Sequence, residues 1–556
     1  MNKWVRLAAA GFCLAGVSIA QQGFDLVVYG GTAGGVMTAV AAARQGLSVV
    51  LVNPKRHVGG MVSGGLSATD YGRKEVIGGL SLEFYVRAGR AYSIGRHGQE
   101  IAWLPEPKVA EAIMRDMLKE SGVTLVESQR LREKTGVRKE GARLVEIMTE
   151  SGAKFRGKVF ADASYEGDLM AQSKVSYTFG RESTAQYGES LAGVRAVTPS
   201  HQFPIDIPAH DERGKLLPEV SSEPRGEPGS ADKRIQAYNF RIIATNVPEN
   251  LVPWPKPANY DPARYELLLR YVHGMTAYLG RTMDFMDVSG PGLIPNGKAD
   301  HNNRGGFSTD YIGKNYGYPD GTYAEREKIW KDHEDYQKGF YYFLANDPRL
   351  PETMRRTTRE WGLAKDEFTD SGNWPHELYV REGRRMVGEY VSIQRDLQTD
   401  LNKPDVIGMG SYASDSHNLQ RFINNRGFVE NEGDVQVGVK PYQIAFRSLT
   451  PKRSEAENLL VPVCFSASHV AYSSMRMEPQ YMIIGHASGV AAALAVKKAA
   501  AIQDVPIAEL QKTLLEEGAI FEYGVEHQTR ALSIIRRKFR PLARKGPAPW
   551  ARPEKR

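Results

Sequence analysis

The first change in the pattern of apolar and polar positions lies near the start of the chain. Residues 25–29 read Asp-Leu-Val-Val-Tyr, a short apolar run typical of a strand, and Val36 to Arg44 is an Ala-rich stretch typical of a helix that ends near Gly46. A second apolar run, Leu47 to Val52, follows at once. A strand, a glycine turn, a helix and a strand within about thirty residues predict a βαβ unit with parallel strands.

The same reading predicts further elements on both sides of a long irregular region. Residues 108–120 place Val109, Ile113, Met117 and Leu118 on one helical face. Strands are predicted over 122–126, 144–149, 158–161 and 458–463, and an Ala-rich helix is predicted over 485–501. Between them, residues 183–235 are rich in Pro, Gly and charge, and 235–450 show helical patterns only near 260–285 and 322–346. The last strand and helix are expected to close the first domain.

Composition places the chain among ordinary globular proteins. Its 556 residues are enough for two or three domains, and 41% apolar and 25% charged residues exclude a collagen-like or disordered class. Residues 530–556 hold ten Lys or Arg and one acid, more than the whole net charge of +7, so the body is near neutral and no nucleic-acid partner is predicted. A solvated terminus is the simpler interpretation of this tail, and a polyanion-binding or membrane-surface segment is the alternative.

The first twenty residues have the pattern of a secretory signal. Lys3 and Arg6 precede an apolar run from Leu7 to Ile19, and Ser18-Ile19-Ala20 forms a small-x-Ala cleavage site. We therefore predict a secreted or periplasmic protein whose mature chain begins near Gln21. No later run approaches the ~20 apolar residues of a membrane-spanning helix. The mature chain would keep one cysteine, Cys464, so no internal disulfide is predicted, and a buried apolar thiol is the preferred interpretation.

The predicted turn after the first strand carries the sequence Gly30-Gly31-Thr32-Ala33-Gly34-Gly35. It follows the pattern G-x-G-x-x-G except that Thr32 stands at the middle glycine. In this pattern the first glycine permits a tight turn, the last lets the helix approach the strand, and the helix N-terminus offers amide donors to a pyrophosphate. The predicted site therefore includes Gly30, Thr32, Ala33, Gly34 and Gly35. Asn53, after the second strand, stands where an acid usually binds a ribose, and its amide can still bond a hydroxyl.

The next segment, Arg-His-Val-Gly-Gly-Met-Val-Ser-Gly-Gly at 56–65, resembles the glutathione-reductase-like flavoproteins. More narrowly, the chain is similar to exported bacterial FAD-dependent oxidoreductases that are sometimes labelled xanthan-lyase-like. The resemblance continues through Phe-Ala-Asp-Ala-Ser-Tyr-Glu-Gly-Asp at 160–168 and the segments 293–303, 373–382, 415–421 and 458–479. These segments span nearly the whole mature chain, and they indicate a family without indicating a substrate.

The resemblance implies FAD as cofactor and adds residues to the predicted site. A double glycine lets the backbone approach the cofactor, a strand-end Asp lies near the ribityl and pyrophosphate groups, and a late helix faces the pyrimidine end of the flavin. The residues concerned are Arg56, Gly59, Gly60, Met61, Ser63, Gly64, Asp162, Gly485, His486 and Ala487. The late helix is expected to begin at Gly485, where its N-terminus would stabilise a reduced flavin. No metal site is predicted, because the histidines lack ligand spacing.

The predicted fold is α/β. It comprises a three-layer Rossmann-type FAD-binding domain with a parallel sheet, which the C-terminal segment completes. A mixed α+β substrate domain is inserted into it. The predicted divisions are a signal peptide (1–20), the first part of the FAD domain (21–182), a substrate or cap region (183–450), the closing part of the FAD domain (451–510), and a C-terminal helix and basic tail (511–556).

Flavin-dependent oxidation needs a base for the substrate's proton, and histidine suits this role near neutral pH. His417 and His469 are the candidates, and Arg381, Arg421 and Arg476 are candidates for holding a carboxylate or hydroxyls, with structural ion pairs as the alternative. The leading hypothesis is an FAD-dependent dehydrogenase or oxidase acting on a small polar molecule such as a sugar, with an unidentified electron acceptor.

Two other classes stay open. One is a carbohydrate lyase or binding protein with FAD in a structural role. The other is an electron-transfer component that reaches a surface partner through the basic tail.

Overall fold

The structure is a computed structural model that describes residues 23–97 and 99–539. The predicted signal peptide and the end of the basic tail lie outside these residues. The strands are β1 (Gly23–Tyr29), β2 (Val49–Val52), β3 (Thr124–Val126), β4 (Val137–Glu140), β5 (Arg143–Met148), β6 (Lys154–Asp162), β7 (Tyr177–Thr178), β8 (Ile242–Thr245), β9 (Leu251–Val252), β10 (Ser289–Ile294), β11 (Lys298–Asn303), β12 (Gly362–Ala364), β13 (Arg385–Met386), β14 (Val406–Gly410), β15 (Ser414–Ser416), β16 (Gln420–Ile423), β17 (Val429–Glu432), β18 (Val435–Val437), β19 (Tyr442–Ala445) and β20 (Leu459–Leu460).

The α-helices frame the sheets. They are α1 (Ala33–Arg44), α2 (Gly79–Ala91), α3 (Pro107–Glu120), α4 (Asp168–Gln172), α5 (Thr184–Tyr187), α6 (Glu266–Leu279), α7 (Phe285–Val288), α8 (Tyr323–Asn346), α9 (Glu352–Arg359), α10 (Gln394–Gln398), α11 (His469–Met475), α12 (Glu478–Lys498), α13 (Ile507–Glu516) and α14 (Val525–Arg536).

A parallel sheet forms the centre of the first domain, as the βαβ pattern predicts. Its strand order is β3-β2-β1-β6, and every neighbouring pair in this stretch is parallel. Strand β6 is long enough to take two partners along one edge: β5 pairs antiparallel with its first half, and β20 pairs parallel with Phe160 and Ala161 near its end. The C-terminal segment therefore completes the sheet, as predicted, through a strand of only two residues.

Helices α1 and α12 pack closely against each other beside this sheet. Gly485 of α12 lies against the backbone of Gly34 in α1, and a Cβ atom on Gly485 would overlap the Gly34 carbonyl oxygen. Both helices are almost wholly buried. Small residues at this contact allow the two backbones to approach, which fixes the N-terminus of α1 relative to the sheet.

The prediction that the late helix begins at Gly485 is wrong. Helix α12 begins seven residues earlier, at Glu478, with Pro479 in its first turn. A proline in the first turn lacks only an amide that would have no intrahelical partner. Its aromatic and polar first turns conceal the helix, since the Ala-rich pattern becomes clear only after Ala487.

The described part of the region between the two parts of the sheet holds a second, antiparallel sheet and four two-stranded antiparallel pairs, β7-β13, β14-β19, β15-β18 and β16-β17. The second sheet has the order β10-β11-β8-β12-β9. Helices α6 and α8 match the helical patterns predicted near 260–285 and 322–346. Strand β7 pairs with β13, which links residues on both sides of the predicted boundary at 182. The architecture agrees with an inserted mixed domain, and its limits stay a prediction.

Candidate functional site

The glycine turn between β1 and α1 is built to approach an anion closely. Gly30 has a φ of +104°, and a Cβ on it would lie 2.6 Å from the backbone of Ala163. Thr32 caps α1: its Oγ1 accepts from the Gly35 amide at 3.1 Å and donates to the Ala163 carbonyl at 2.7 Å. Within the described ranges, no hydrogen bond is found for the backbone amides of Thr32 and Gly34, whereas the parallel bridge between Thr32 and Gly59 directs the Ala33 amide to the Gly59 carbonyl. Free amides at a helix N-terminus form a site for a pyrophosphate.

Asn53 supports this turn from β2. Its Oδ1 accepts from the Gly31 amide at 3.0 Å, and its Nδ2 donates to the His57 carbonyl at 2.7 Å. The side chain of Asn53 thus holds the two glycine loops together, and both ends of its amide are engaged by the backbone. Its predicted contact with a ribose stays a prediction, which these bonds make less favourable.

The second glycine loop lies directly against the first. The Gly59 amide donates to the Gly31 carbonyl at 2.7 Å, and Gly59 and Gly60 have φ angles of +105° and +56°. A Cβ on Gly60 would overlap Oη of Tyr165. This oxygen accepts a hydrogen bond from the Met61 amide at 2.9 Å. Both loops are therefore closed by contacts that leave no room for a side chain at Gly30, Gly59 or Gly60.

Two further residues of the second loop have structural contacts. Ser63 Oγ donates to the Val58 carbonyl at 2.7 Å, and Gly64 lies against the side chain of Glu377. Glu377 pairs with Lys55.

A narrow cleft runs between the two loops and opens into a cavity of about 650 Å³ at the carboxyl ends of β1 and β2. Lys55, His57 and Glu166 line both. Arg56 lies at the cavity wall, exposed, with a 3.1 Å ion pair to Asp370. Helix α8 closes the far side through side chains that include Trp330. This edge of the sheet is where doubly wound folds bind nucleotides.

Asp162, at the end of β6, is fully buried and binds its own loop. Its carboxylate accepts from Ser164 Oγ at 2.7 Å and from the Met170 amide at 2.7 Å. Burial raises the pKa of Asp162 to about 6, against the opposing effect of these hydrogen bonds. The acid fixes the loop that carries Tyr165 beside the second glycine turn.

Gly485, His486 and Ala487 lie within α12, away from its N-terminus. Gly485 makes the contact with Gly34, and Ala487 is buried. His486 Nε2 lies 2.5 Å from Glu517, and its Nδ1 faces α2. The helix N-terminus that approaches the glycine loops is instead formed by Glu478, and Pro479 is the signal in the sequence that locates it.

Glu478 is buried at that N-terminus. Oη of Tyr165 donates to its Oε1 at 2.7 Å. Oε2 of Glu478 and the side-chain amide of Gln480 have no partner among the described residues. Burial raises the pKa of Glu478 to about 8. The side chain is therefore a neutral acid at pH 7, with a hydrogen-bonding atom left free next to the glycine loops.

Beyond Glu478 lies a buried cluster of charges around His417. His417 Nδ1 lies 2.6 Å from Asp310 Oδ2, and its Nε2 lies 3.7 Å from Asp415. Arg476 donates to the Asp415 carbonyl at 2.8 Å and to Tyr379 Oη at 2.9 Å, and its Nε has no partner within the described part of the chain. Burial would raise the pKa of Asp310, but the neighbouring His417 and Arg381 hold it well below its ordinary value.

The structure separates the other candidates. Arg381 Nη2 lies 2.9 Å from Asp310, so it belongs to the His417 cluster. Arg421 instead donates to Asn431 and to the Gly306 carbonyl, and its guanidinium lies over Phe307, with no ion pair to a carboxylate of the described residues.

His469 belongs to a different cluster. Its Nδ1 lies 2.8 Å from Glu382, which also pairs with Arg385. Burial and the charge of Arg385 lower the pKa of His469 to about 3. Such an imidazole is neutral at pH 7 and a poor proton acceptor. Gln236 connects the two clusters, since its amide donates to Glu382 at 2.9 Å and accepts from Arg476 at 3.1 Å.

Two other features have structural explanations. Cys464 is buried, and burial raises the pKa of its thiol well above the ordinary value, as expected for an apolar cysteine. The oxygens of Glu106, Asp366 and Glu367 lie within 4.8 Å of one another, but the ammonium of Lys298 pairs with all three.

Among the described residues, no helix is long and apolar enough to cross a bilayer.

Several residues of the site carry no signal in the sequence. Asp310 and Gln236 come from loops far from His417 and Arg476 in the chain, and their types fit many structural roles. Tyr165 and Glu478 lie within the segments that carry the family resemblance, but nothing in their spacing indicates that they meet.

The sheet order, the glycine turn on α1 and the cleft at the strand ends define a nucleotide-binding enzyme of the Rossmann type. Residues 25–514 match the family described as FAD dependent oxidoreductase, and the chain belongs to that family. A search of curated proteins gave no match.

Solved structures give partial matches. A flavin-containing monooxygenase from Stenotrophomonas maltophilia is 16% identical, with 29% of this chain and 43% of that chain covered and a TM-score of 0.19. OxyS anhydrotetracycline hydroxylase from Streptomyces rimosus is 11% identical over 34% and 43% of the chains, with a TM-score of 0.23. A thioredoxin reductase from T. acidophilum is 18% identical over 26% and 36%, with a TM-score of 0.17. This chain thus matches less than half the length of each.

FAD is the cofactor, and the residues fit it. The amides of Thr32 and Gly34 would hold its pyrophosphate, and Gly30 and Gly60 provide the bare backbone that close approach requires. Oε2 of Glu478 and the side-chain amide of Gln480 are buried polar groups without a partner among the described residues, and a bound group would supply their hydrogen bonds.

Proposed function

We propose that the protein oxidises a small polar molecule such as a sugar, with His417 as the base that accepts the substrate's proton. Bound FAD supplies the oxidant, which takes a hydride from the substrate. The observation that carries the proposal is the 2.6 Å contact between His417 and Asp310 inside a cluster that adjoins the N-terminus of α12.

Asp310 fixes the histidine for this task. A carboxylate at Nδ1 retains the proton there, so Nε2 is the nitrogen that takes up the hydroxyl proton as the C–H bond of the substrate breaks. Asp310 also stabilises the imidazolium that forms.

The rest of the cluster supports binding. The free Nε of Arg476 and the hydroxyl of Tyr379 offer donors to substrate oxygen atoms. Arg476 lies two residues before Glu478, and Tyr379 lies two residues after Glu377, which lines the cofactor cleft. These connections support a reaction centre between the glycine loops and His417.

The test starts with the visible spectrum of the purified chain and acid precipitation, which separates covalent from noncovalent FAD. Anaerobic mixing with neutral sugars, sugar acids and amino acids should then bleach the flavin for one class. The His417→Gln variant should keep its FAD and bleach slowly. Unsaturated sugar products without bleaching would instead identify a lyase.

A further inference from the structure

A second cavity, of about 630 Å³, lies in the inserted region and is lined mostly by residues 197–204, including His201, whose ring stacks on His417. Its walls include Thr198, Pro199, His201, Phe203 and Tyr271. Apart from His201, the described residues of its lining include no side chain that is charged near neutral pH, since Asp, Glu, Lys and Arg are absent from them. A cavity of this size suits a small-molecule ligand, and these walls suit one without charge.

His201 separates this cavity from His417. The two imidazoles stack, with ring centroids 5.7 Å apart and an angle of 13° between the planes. His201 Nδ1 lies 2.8 Å from Asp434, and its carbonyl accepts from the side chains of Asn418 and Asn431, each at 2.9 Å. The imidazole and the backbone are thus both held in place.

The backbone of His201 is strained, with a φ of +48°. Residues other than glycine seldom adopt this conformation, and where it persists the surrounding contacts maintain it. Here the strain accompanies a ring that is directed between the cavity and His417.

Nε2 of His201 is left without a partner among the described residues, although Nδ1 is engaged. Burial would lower the pKa of His201, but the hydrogen bond to Asp434 and its charge raise the pKa above its ordinary value. With Nδ1 bonded to Asp434, Nε2 accepts a hydrogen bond when the ring is neutral and donates one when the ring is protonated, so a hydroxyl group suits it in either state.

We infer that this cavity binds an uncharged sugar ring, and that Nε2 of His201 forms a hydrogen bond with one of its hydroxyl groups. The inference rests on the proposed function, because it names the class of substrate and places it against His201, the ring that stacks on the base His417. Apolar walls such as Phe203 and Pro199 can cover the C–H faces of a sugar ring, while His201 and Thr198 reach its hydroxyl edge. The lack of a cationic Lys or Arg in the lining disfavours a uronic acid.

Saturation-transfer NMR on the FAD-loaded protein tests the inference without relying on flavin reduction. The probes are glucose, galactose, methyl β-glucoside and cellobiose, with glucuronate as the charged comparison. We expect transfer to at least one neutral sugar and none to glucuronate. Thr198→Trp, which fills the cavity, should abolish the signal, while Thr399→Trp, at an exposed threonine outside the cavity, should retain it.

A second pair of variants tests the hydrogen bond of His201. Asparagine tolerates positive φ, so His201→Asn removes Nε2 at small conformational cost and should weaken sugar binding by about ten-fold, the loss of one hydrogen bond. His273→Asn, at an exposed histidine, should bind as the wild type does. The absence of transfer to every neutral sugar, or equal binding by Thr198→Trp, would overturn the inference. Sugar binding without flavin bleaching would overturn the proposed function alone.

Discussion

Nδ1 of His417 lies 2.6 Å from Oδ2 of Asp310, although 107 residues separate them in the chain. Both side chains are nearly inaccessible to solvent. A short contact between an imidazole and a buried carboxylate fixes the ring and its tautomer, which is the arrangement that a histidine base requires. The other candidate base, His469, has its own carboxylate partner, but burial keeps it neutral.

The first prediction concerns this pair. Asp310→Asn should slow flavin reduction by about 10²-fold or more, because the ring is no longer held in the tautomer that keeps the proton on Nδ1 and leaves Nε2 unprotonated. The pH profile of flavin reduction in Asp310→Asn should also shift while its FAD content stays the same. A purely structural role of Asp310 would not produce this combination. Anaerobic stopped-flow spectroscopy measures both. His469→Gln is the comparison, and a larger effect there than in His417→Gln would reverse the assignment of the base.

The second prediction concerns the glycine turn. Gly30 and Gly46 both have positive φ, at +104° and +92°, but a Cβ on Gly30 would strike Ala163 whereas Gly46 has open space. Gly46→Ala should therefore cost about 1–2 kcal/mol of stability and leave FAD binding intact. Gly30→Ala should in addition lose FAD. The ratio of flavin to protein absorbance reports this, and equal FAD content in both variants would contradict the proposed pyrophosphate site.

The third prediction is a pH dependence set by Glu478. Its pKa is about 8 in the folded protein against an ordinary value of 4.5, so the folded state binds the extra proton between these values. The free energy of unfolding should therefore fall as pH rises through this window, by at most about 1.4 kcal/mol per pH unit, and level off above pH 8. Glu478→Gln should remove this part of the slope. Denaturant unfolding of both proteins between about pH 5 and 9 measures the difference, and parallel curves would show that Glu478 ionises normally.

The fourth prediction concerns the contact between α1 and α12. Helix propensity alone would make Gly485→Ala stabilising by about 1 kcal/mol. Because the added methyl would overlap the Gly34 carbonyl, we expect a loss of about 1–3 kcal/mol instead. Gly438→Ala, where no atom lies within 4 Å of the new methyl, should change stability by less than about 0.5 kcal/mol. Thermal unfolding gives the sign, and a stabilised Gly485→Ala protein would mean that the helices are further apart.

Local patterns sufficed for the elements of the first domain. The strand at 25–29, the turn at Gly30 and the helix after it form a continuous segment whose period changes from two to 3.6, and the structure confirms all three. The apolar pattern at 458–463 did not predict the strand's length, because tertiary contacts decide where pairing with β6 ends. Strand β20 has two residues instead of the six predicted, and the amide of Val461 after it bonds the Leu449 carbonyl instead of β6.

The catalytic candidates show the limit of the sequence more clearly. His417 and His469 both follow serine-rich segments and look alike along the chain. Their difference comes from partners more than eighty residues away, Asp310 for one and Glu382 with Arg385 for the other. Residue type and spacing cannot indicate which of two buried histidines meets a base-orienting carboxylate and which enters a neutralising ion network.

The sequence by itself determined the Rossmann-type fold, the FAD turn and the family, because these depend on glycines and apolar periods within short segments. The tertiary structure alone decided where α12 meets the glycine loops, that Asn53 and Asp162 bind the protein's own loops, and that His417 and His201 stack beside a cavity. The physical reason is that burial, pKa and hydrogen-bond partners are set by residues that are distant in the chain and become neighbours only when it folds.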